Sequence, residues 1–240
     1  MINEAVYTLF DDMRKQPHLL IAGESGSGKS VVINGIITTL LHYDSWQMQM
    51  ILIDPKRVEL SIYKNTPHCI RYASEPDTMV NALRYAMQIC ESRYKTMQKK
   101  GLRMYNGSHL YIIIDEFADL MTTNKREVAP LIQRLAQIGR AARIHIILAT
   151  QCPLAKIIPT EIKVNFDARV GLRTRSAQDS RNILGYAGLE TLARYGQGIY
   201  MKPEGDTLYN IPYITDAEQK RIVDMVSVKK KKSFLERIFS

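Results

Sequence analysis

The sequence predicts an α/β fold in which a mostly parallel β-sheet is flanked by helices. Short apolar runs that suit buried strands alternate along the chain with longer segments whose apolar residues recur at helical spacing. This alternation is typical of parallel strands joined by right-handed helical crossovers. Ligands of such sheets bind at the carboxyl ends of the strands, and the polar motifs of this sequence follow its strands at those ends.

The first strand is predicted at residues 18–22, and a glycine-rich segment follows it. Residues 23–30 read Gly-Glu-Ser-Gly-Ser-Gly-Lys-Ser, which fits the phosphate-binding loop of nucleoside triphosphatases. Glycines let backbone N–H groups point at phosphate oxygens, Lys29 brings a positive charge to the β- and γ-phosphates, and the Ser30 hydroxyl can bind Mg²⁺. An apolar run over 31–41 predicts a buried helix whose N-terminus faces the phosphates. We therefore expect ATP and Mg²⁺ as ligands, with the nucleotide held by Gly23, Glu24, Ser25, Gly26, Ser27, Gly28, Lys29, Ser30 and Val31.

The remaining elements continue the alternation of strands and helices. Further strands are predicted at 48–54, 67–72, 110–116, 144–151 and 169–172, and further helices at 75–100, 127–142 and 176–184. Pro76 suits the first turn of the long helix, and Gly101 suits its end. Residues 197–201 and 207–211 predict a hairpin, and another strand is expected near 6–10.

Two carboxylates close the apolar strand predicted at 110–116. We expect Asp115 to orient Mg²⁺ and Glu116 to polarise the water that attacks the γ-phosphate. Gln151 ends the next strand, where its amide can bond both this water and the γ-phosphate. The predicted catalytic set therefore contains Lys29, Glu116 and Gln151, and the predicted metal ligands are Ser30 and Asp115.

Hydrolysis also builds negative charge that a desolvated cation can stabilise. Arg140 and Arg143 lie three residues apart at the predicted end of a helix, and so on similar faces. Either could reach the nucleotide of a neighbouring subunit. The alternative interpretation is that both are solvated surface arginines.

Composition favours a polyanionic partner. Among 240 residues, 33 Lys and Arg stand against 24 Asp and Glu, which gives a net charge of +9. This excess favours nucleic acid or an anionic membrane surface as the partner. The three cysteines are odd in number and lack metal-ligand spacing, which favours a reducing compartment. No apolar run reaches the roughly 18 residues that span a bilayer, so we expect a cytoplasmic protein.

Five motifs, in this order, resemble the motor domain of the FtsK/SpoIIIE family of double-stranded DNA translocases. They are PHLLIAGESGSGKS, MILIDPKRVELSIY, YIIIDEFADLM, IQRLAQIGRAARIHIILATQ and QDSRNIL, and the resemblance covers about residues 15–215. It implies a RecA-like P-loop core in a hexameric ring, with DNA through the pore and ATP at the subunit interfaces. It also implies that Arg140 is an arginine finger that acts in trans, and that 152–160 and 174–181 are pore loops. The predicted DNA contacts in these loops are Lys156, Thr160, Arg175 and Arg181.

The sequence also departs from the family pattern. Cys152 stands where the family has an arginine after the glutamine, so Lys156 is the candidate substitute for that phosphate contact. Arg143 stands where the family usually has glycine. No segment resembles the family's membrane segments or its C-terminal winged helix, which predicts a minimal motor for DNA segregation, conjugative transfer or packaging.

Three regions are predicted: a lead-in over 1–17, the motor domain over 18–226 and a basic tail over 227–240. The tail joins a run of lysines at 229–232 to apolar residues that a short helix would place on one face. It is either a solvated, disordered tail or a peripheral docking element for an anionic membrane or a partner protein.

Two alternative functions stay open at this point. One is a protein-secretion ATPase like those of type VII export, and the other is an ATP-gated module that binds DNA or assembles without hydrolysis. The intact carboxylate Glu116 and amide Gln151 favour hydrolysis.

Overall fold

Eight strands pair into one sheet in a computed structural model that describes residues 16–154 and 157–238. The strands are β1 (His18–Ala22), β2 (Met48–Ile53), β3 (Cys69–Ala73), β4 (His109–Ile114), β5 (Ile144–Thr150), β6 (Ala168–Leu172), β7 (Gln197–Met201) and β8 (Thr207–Asn210). Their spatial order is β3-β2-β4-β5-β1-β6-β7-β8. The pairs from β3 to β6 are parallel, and β7 is antiparallel to both β6 and β8. The prediction of a mostly parallel α/β sheet is confirmed.

Helices join these strands and cover both faces of the sheet. They are α1 (Lys29–Leu40), α2 (Pro76–Lys100), α3 (Phe117–Ile138), α4 (Thr160–Lys163), α5 (Ala177–Leu184) and α6 (Asp216–Ile238), with short 3₁₀ turns at Ser61–Tyr63 and Leu189–Thr191. From residue 228 onward only the backbone of α6 is described. Within the described ranges, no helix is both long and apolar enough to cross a membrane.

The core has two layers, one on each face of the sheet. Successive residues of β1 alternate between them: Leu19 and Ile21 belong to the cluster built around α1, whereas Leu20 belongs to the cluster built around α2 and α3. Strands covered on both faces are largely apolar, which is why β1, β4 and β5 appear in the sequence as apolar runs with few polar residues.

The ends of α2 match the sequence prediction. Glu75 caps the helix in a reciprocal arrangement with Thr78, Pro76 occupies the first turn, and Gly101 ends the helix at a φ of 64°. Glycine suits this last position because a left-handed backbone is strained for other residues.

Helix α3 differs from its prediction at both ends. It begins at Phe117 rather than at 127, because Phe117, Leu120 and Met121 pack into the core with helical spacing. A non-helical backbone at Asn124 (φ −135°, ψ 34°) separates this first part from the predicted segment. The helix ends at Ile138 rather than at 142, so the expectation that the two arginines share a helical face was wrong.

The C-terminal helix is longer than the short helix expected within residues 227–240. Helix α6 runs from Asp216 to Ile238 and crosses the predicted boundary between motor and tail at 226. Its first part packs on the core, since Gln219 donates to the Tyr63 hydroxyl at 2.8 Å. The strand expected near 6–10, Lys156 and the side chains of the basic tail lie outside the described residues.

Candidate active site

The phosphate loop lies near the middle of the sheet, because β1 pairs with β5 on one side and β6 on the other. Helix α1 begins at Lys29, directly after Gly28, whose φ is 104°. A Cβ at Gly28 would also collide with the backbone N of Gly196. Glycine is therefore required at position 28 both for its backbone conformation and for this close approach. The first N–H groups of α1 have no partner within the helix and suit an anion.

Lys29 and Asp115 form a buried pair at the end of this loop. The Lys29 Nζ donates to the Asp115 carbonyl at 2.7 Å and to its carboxylate Oδ1 at 3.1 Å. Burial raises the pKa of the Asp115 carboxyl above its ordinary value, and the Lys29 charge acts in the opposite direction. The predicted phosphate-binding lysine and the predicted metal ligand are thus brought together.

Glu116 lies beside this pair and is held mainly by strand β5. Its Oε1 accepts hydrogen bonds from the Thr150 hydroxyl at 2.8 Å and from the backbone N–H of Gln151 at 3.1 Å. Its Oε2 lies 3.4 Å from the Lys56 Nζ and 3.9 Å from the Lys29 Nζ. Glu116 is only 3% exposed, whereas the Gln151 side chain is exposed. Lys29 and Lys56 therefore balance the negative charge of this buried carboxylate.

Thr150 and Lys56 are contacts of Glu116 that the sequence analysis did not predict. Strand β2 pairs in register with β4, with Ile53 opposite Ile114, so the residues that follow the two strands lie side by side. The Asp-Pro-Lys motif at 54–56 belongs to the segment MILIDPKRVELSIY that resembles the family, and this pairing explains its position. Thr150 directly precedes the predicted Gln151, but only strand pairing turns its hydroxyl towards Glu116.

Asp54 is a third acidic residue near Asp115. It is fully buried, and its Oδ2 accepts from the Leu60 backbone N–H at 3.0 Å. Its negative charge contributes to the raised pKa of Asp115. No group of three or more His, Cys, Asp or Glu side chains within 16–154 and 157–227 is arranged to hold a metal ion. The available oxygen donors, the Ser30 hydroxyl and Asp115, fit Mg²⁺, which is usually bound by one or two carboxylates together with phosphates and water.

Arg140 and Arg143 lie in the turn between α3 and β5. Strand β5 contains 7 residues and so extends about 20 Å, which places both arginines at the edge of the sheet opposite Glu116. Arg143 has a φ of 53° and donates from Nη1 to the Gly107 carbonyl at 3.0 Å. The positive φ gives a physical reason for the glycine usual at this position in the family. Arg140 is exposed, whereas Arg143 is half-buried.

The predicted DNA contacts flank the phosphate loop. The segment that contains Thr160 follows β5, and the segment that contains Arg175 and Arg181 follows β6; both strands pair with β1. All three side chains are exposed. The segment after β5 begins with Cys152, whose backbone N–H donates to the Thr150 hydroxyl at 3.1 Å. The same hydroxyl therefore contacts both Glu116 and the start of this segment.

More than half of the chain matches a known protein family. Residues 2–109 and 106–155 match the FtsK/SpoIIIE family. The chain belongs to the FtsK/SpoIIIE family. The matched stretches include the phosphate loop, Asp115, Glu116 and Gln151, so the residues that converge at this edge of the sheet lie within the FtsK/SpoIIIE region.

Proteins named DNA translocase FtsK are similar to almost the whole chain. The protein of Oceanobacillus iheyensis is 37% identical over an aligned length of 251 residues, and the match covers 95% of this chain and 32% of that protein. The protein of Agrobacterium fabrum is 35% identical over an aligned length of 273 residues, and the match covers 95% of this chain and 30% of that protein. This FtsK/SpoIIIE chain thus spans about a third of the length of these relatives.

Solved structures share the fold. The pCW3 conjugation coupling protein TcpA, in a monomer form with ATPγS, has a TM-score of 0.78 at 24% identity and covers 89% of this chain and 66% of its own. EssC (ATPases 2 and 3) from Geobacillus thermodenitrificans also has a TM-score of 0.78, at 14% identity, and covers 93% of this chain and 45% of its own. These likenesses confirm the RecA-like P-loop fold that the FtsK/SpoIIIE resemblance implied.

Proposed function

We propose that this chain is the motor domain of an ATP-driven double-stranded DNA translocase. The observation that carries the proposal is the contact of Glu116 with β5, because Thr150 and Gln151 join the hydrolytic carboxylate to the segment expected to touch DNA. The names of its relatives, each a DNA translocase FtsK, support the same function. A change in the contacts of Glu116 during hydrolysis would be passed directly to the start of that segment.

The phosphate loop supplies the nucleotide site. Backbone N–H groups from Gly23 to Val31 and the Lys29 ammonium would hold the triphosphate of ATP, with Ser30 and Asp115 as ligands of Mg²⁺. When bound, Mg²⁺ neutralises phosphate charge and fixes the orientation of the phosphate oxygens. Phosphates would draw Lys29 away from its present contact with Asp115, which frees that carboxylate for the metal.

Glu116 would act as the general base for the attacking water. Thr150 and the Gln151 backbone hold its carboxylate in place before substrate binds, which lowers the cost of positioning it during the reaction. The exposed Gln151 side chain would bind the water and the γ-phosphate. Lys56, after β2, adds positive charge at the same carboxylate.

Arg140 would complete the site of a neighbouring subunit in a hexameric ring. Its location at the edge opposite its own Glu116 is incompatible with a role in cis, since β5 separates the two by about 20 Å. An exposed guanidinium at a subunit edge can stabilise charge on a neighbour's γ-phosphate. The domain division at 226 and a docking role for the tail stay predictions.

The secretion alternative is supported by fold alone. EssC shares the architecture at 14% identity, and this architecture does not reveal whether the substrate is DNA or protein. The net charge of +9 favours DNA. Duplex DNA that stimulates ATP hydrolysis would support translocation, ATPase activity indifferent to DNA would point to secretion, and DNA binding without hydrolysis would point to an assembly module.

The direct test is Glu116→Gln. Because Glu116 acts on water rather than on phosphate, we expect ATP affinity to stay within a few-fold while DNA-stimulated turnover falls by about 10²-fold or more. Glu127→Gln is the matched control, since Glu127 lies on the surface in an ion pair with Arg84. Normal hydrolysis by Glu116→Gln would show that the base is assigned to the wrong residue.

A further inference from the structure

A turn before β7 is joined to the phosphate loop by a hydrogen bond and an ion pair. The Gly196 backbone N–H donates to the Ser27 carbonyl at 3.0 Å. The Arg194 Nε lies 3.7 Å from the Glu24 carboxylate, which also lies 3.2 Å from the Arg173 Nε. Arg173 in turn donates to the Leu192 carbonyl at 2.6 Å. The turn over 192–196 and the phosphate loop therefore form one connected unit, although more than 160 residues separate them in sequence.

Tyr195 lies at the outer side of this turn. Its φ is 66°, in the left-handed region that disfavours a bulky side chain, and the residue is 78% exposed. Both of its neighbours in the chain contact the phosphate loop: Arg194 forms an ion pair with Glu24, and Gly196 donates a hydrogen bond to Ser27. An aromatic ring is thus held towards solvent, beside the phosphate loop, in a backbone conformation that its surroundings impose.

The direction of a bound triphosphate follows from the strand order. Glu116 and Gln151 follow β4 and β5, on one side of β1, so the γ-phosphate end faces that side. The turn with Tyr195 precedes β7, on the opposite side of β1 and beyond β6. Because β7 is antiparallel to β6, its start lies at the same edge of the sheet as the phosphate loop. A nucleotide laid along the loop would direct its base towards Tyr195.

We propose that Tyr195 forms the base subsite by stacking its ring on the heteroaromatic base of the nucleoside triphosphate. This inference rests on the proposed function, since it extends the same nucleotide site. The groups of the phosphate loop suit phosphates, and an aromatic face can bind any base because every base presents a π-face. The site would thereby favour nucleotides over polyphosphates that lack a base.

The test compares two ligands that both carry a chain of three phosphorus groups, of which only one bears a nucleoside. Binding of adenosine 5′-(β,γ-methylene)triphosphate and of inorganic tripolyphosphate is measured by calorimetry for the unsubstituted chain, Tyr195→Ala and Tyr195→Phe. We expect Tyr195→Ala to weaken the nucleotide by about 10-fold, within the range found for aromatic stacking, and to leave tripolyphosphate unchanged. Tyr195→Phe keeps the ring and should bind both ligands normally. Trp46→Ala is the matched control, because Trp46 is a 70% exposed aromatic residue just before β2, at the opposite edge of the sheet.

The outcomes separate this inference from the function on which it rests. Equal weakening of both ligands by Tyr195→Ala would indicate damage to the phosphate loop and would overturn the stacking role. Unchanged nucleotide affinity would overturn it as well, while ATP hydrolysis stimulated by DNA would still stand. If the unsubstituted chain bound no nucleotide, the proposed function and the base subsite would both be wrong.

Discussion

The Glu116 carboxylate is contacted by groups from three parts of the fold. Thr150 and Gln151 approach it from β5, Lys56 from the segment after β2, and Lys29 from the start of α1. A buried carboxylate of this kind is stable only when donors and cations satisfy it. Its position is therefore fixed before nucleotide binds, and each of these contacts is a point at which the site can be weakened.

Thr150→Val tests the role of the hydroxyl that joins Glu116 to the segment after β5. The substitution keeps the side-chain shape but removes one donor to Glu116 and one acceptor for Cys152. We expect DNA-stimulated turnover to fall by about 10-fold, the scale of one hydrogen bond to a charged group, while ATP affinity is retained. Steady-state ATPase assays with and without duplex DNA measure both effects.

The matched control for this variant is Thr39→Val. Thr39 is also a buried threonine, and its hydroxyl donates to the Gly35 carbonyl within α1, away from Glu116. Similar loss of turnover in both variants would mean that Thr150 affects activity only through general destabilisation.

At the scale of elements, β1 is held to its neighbours by a histidine side chain. The Nδ1 of His18 accepts from the Ile146 backbone N–H of β5 at 3.2 Å, so its Nε2 carries the proton and donates to the Ala136 carbonyl of α3 at 2.9 Å. Burial lowers the pKa of His18 from 6.5 to about 4. The neutral ring satisfies both contacts, whereas a second proton on Nδ1 would face another donor.

This lowered pKa predicts a loss of stability in acid. The unfolded chain binds a proton at His18 below its ordinary pKa of 6.5, while the folded chain does not until about pH 4. The contribution is therefore complete above pH 6.5 and is lost as the pH falls towards 4, and the loss reaches about 2 kcal/mol at pH 5. Urea unfolding at pH 7 and pH 5 should show a smaller pH effect in His18→Gln than in the unsubstituted chain.

His42→Gln provides the comparison, because His42 is exposed just after α1. It should retain the pH dependence of the unsubstituted chain. An identical acid response in His18→Gln and His42→Gln would contradict the assignment of this effect to His18.

At the scale of the whole molecule, the position of Arg140 predicts complementation between subunits. Mixing Arg140→Ala protein with Glu116→Gln protein should restore part of the ATPase activity, because some interfaces then combine an intact base with an intact arginine. Glu116→Gln suits this experiment since it keeps the buried Lys29–Asp115 pair. No recovery in rings shown to be mixed would exclude a trans role for Arg140.

Arg143→Ala distinguishes a structural role of Arg143 from the catalytic role proposed for Arg140. Because Arg143 bonds the Gly107 carbonyl, we expect its loss to lower the free energy of unfolding by about 1 kcal/mol. Arg140→Ala should leave unfolding unchanged and abolish turnover. The reverse pattern would reassign the finger to Arg143.

DNA binding should depend on phosphate contacts from the segments beside the phosphate loop. Each contact removed by Arg175→Ala, Arg181→Ala or Lys156→Ala should lower the slope of log affinity against log salt by about 0.9, whatever the DNA sequence. Duplex affinity is measured across salt concentrations with a non-hydrolysable ATP analogue. Lys99→Ala, an exposed lysine in the last turn of α2, is the control. Unchanged slopes in all three variants, with a reduced slope in a chain that ends at Ser227, would place the DNA site in the tail.

Sequence patterns alone were enough to locate the strands of the sheet, the phosphate loop and the acidic pair Asp115 and Glu116. These features depend on local patterns: apolar runs that suit buried strands, glycines at fixed spacing, and carboxylates directly after a strand. Local patterns were less informative about where helices begin and end, because tertiary packing sets those limits. Helix α3 begins at Phe117 because its first turn is buried, and α6 is longer than the tail alone suggested.

Which distant residues meet at the site follows from the strand order of the folded sheet and not from any local pattern. The order β3-β2-β4-β5-β1-β6-β7-β8 brings Lys56 and Thr150 to Glu116 and brings Tyr195 to the phosphate loop. It also places Arg140 at the opposite edge. Strand order is set by the packing of helices on both faces of the whole sheet, so neighbours across the sheet are far apart in sequence and leave no local pattern.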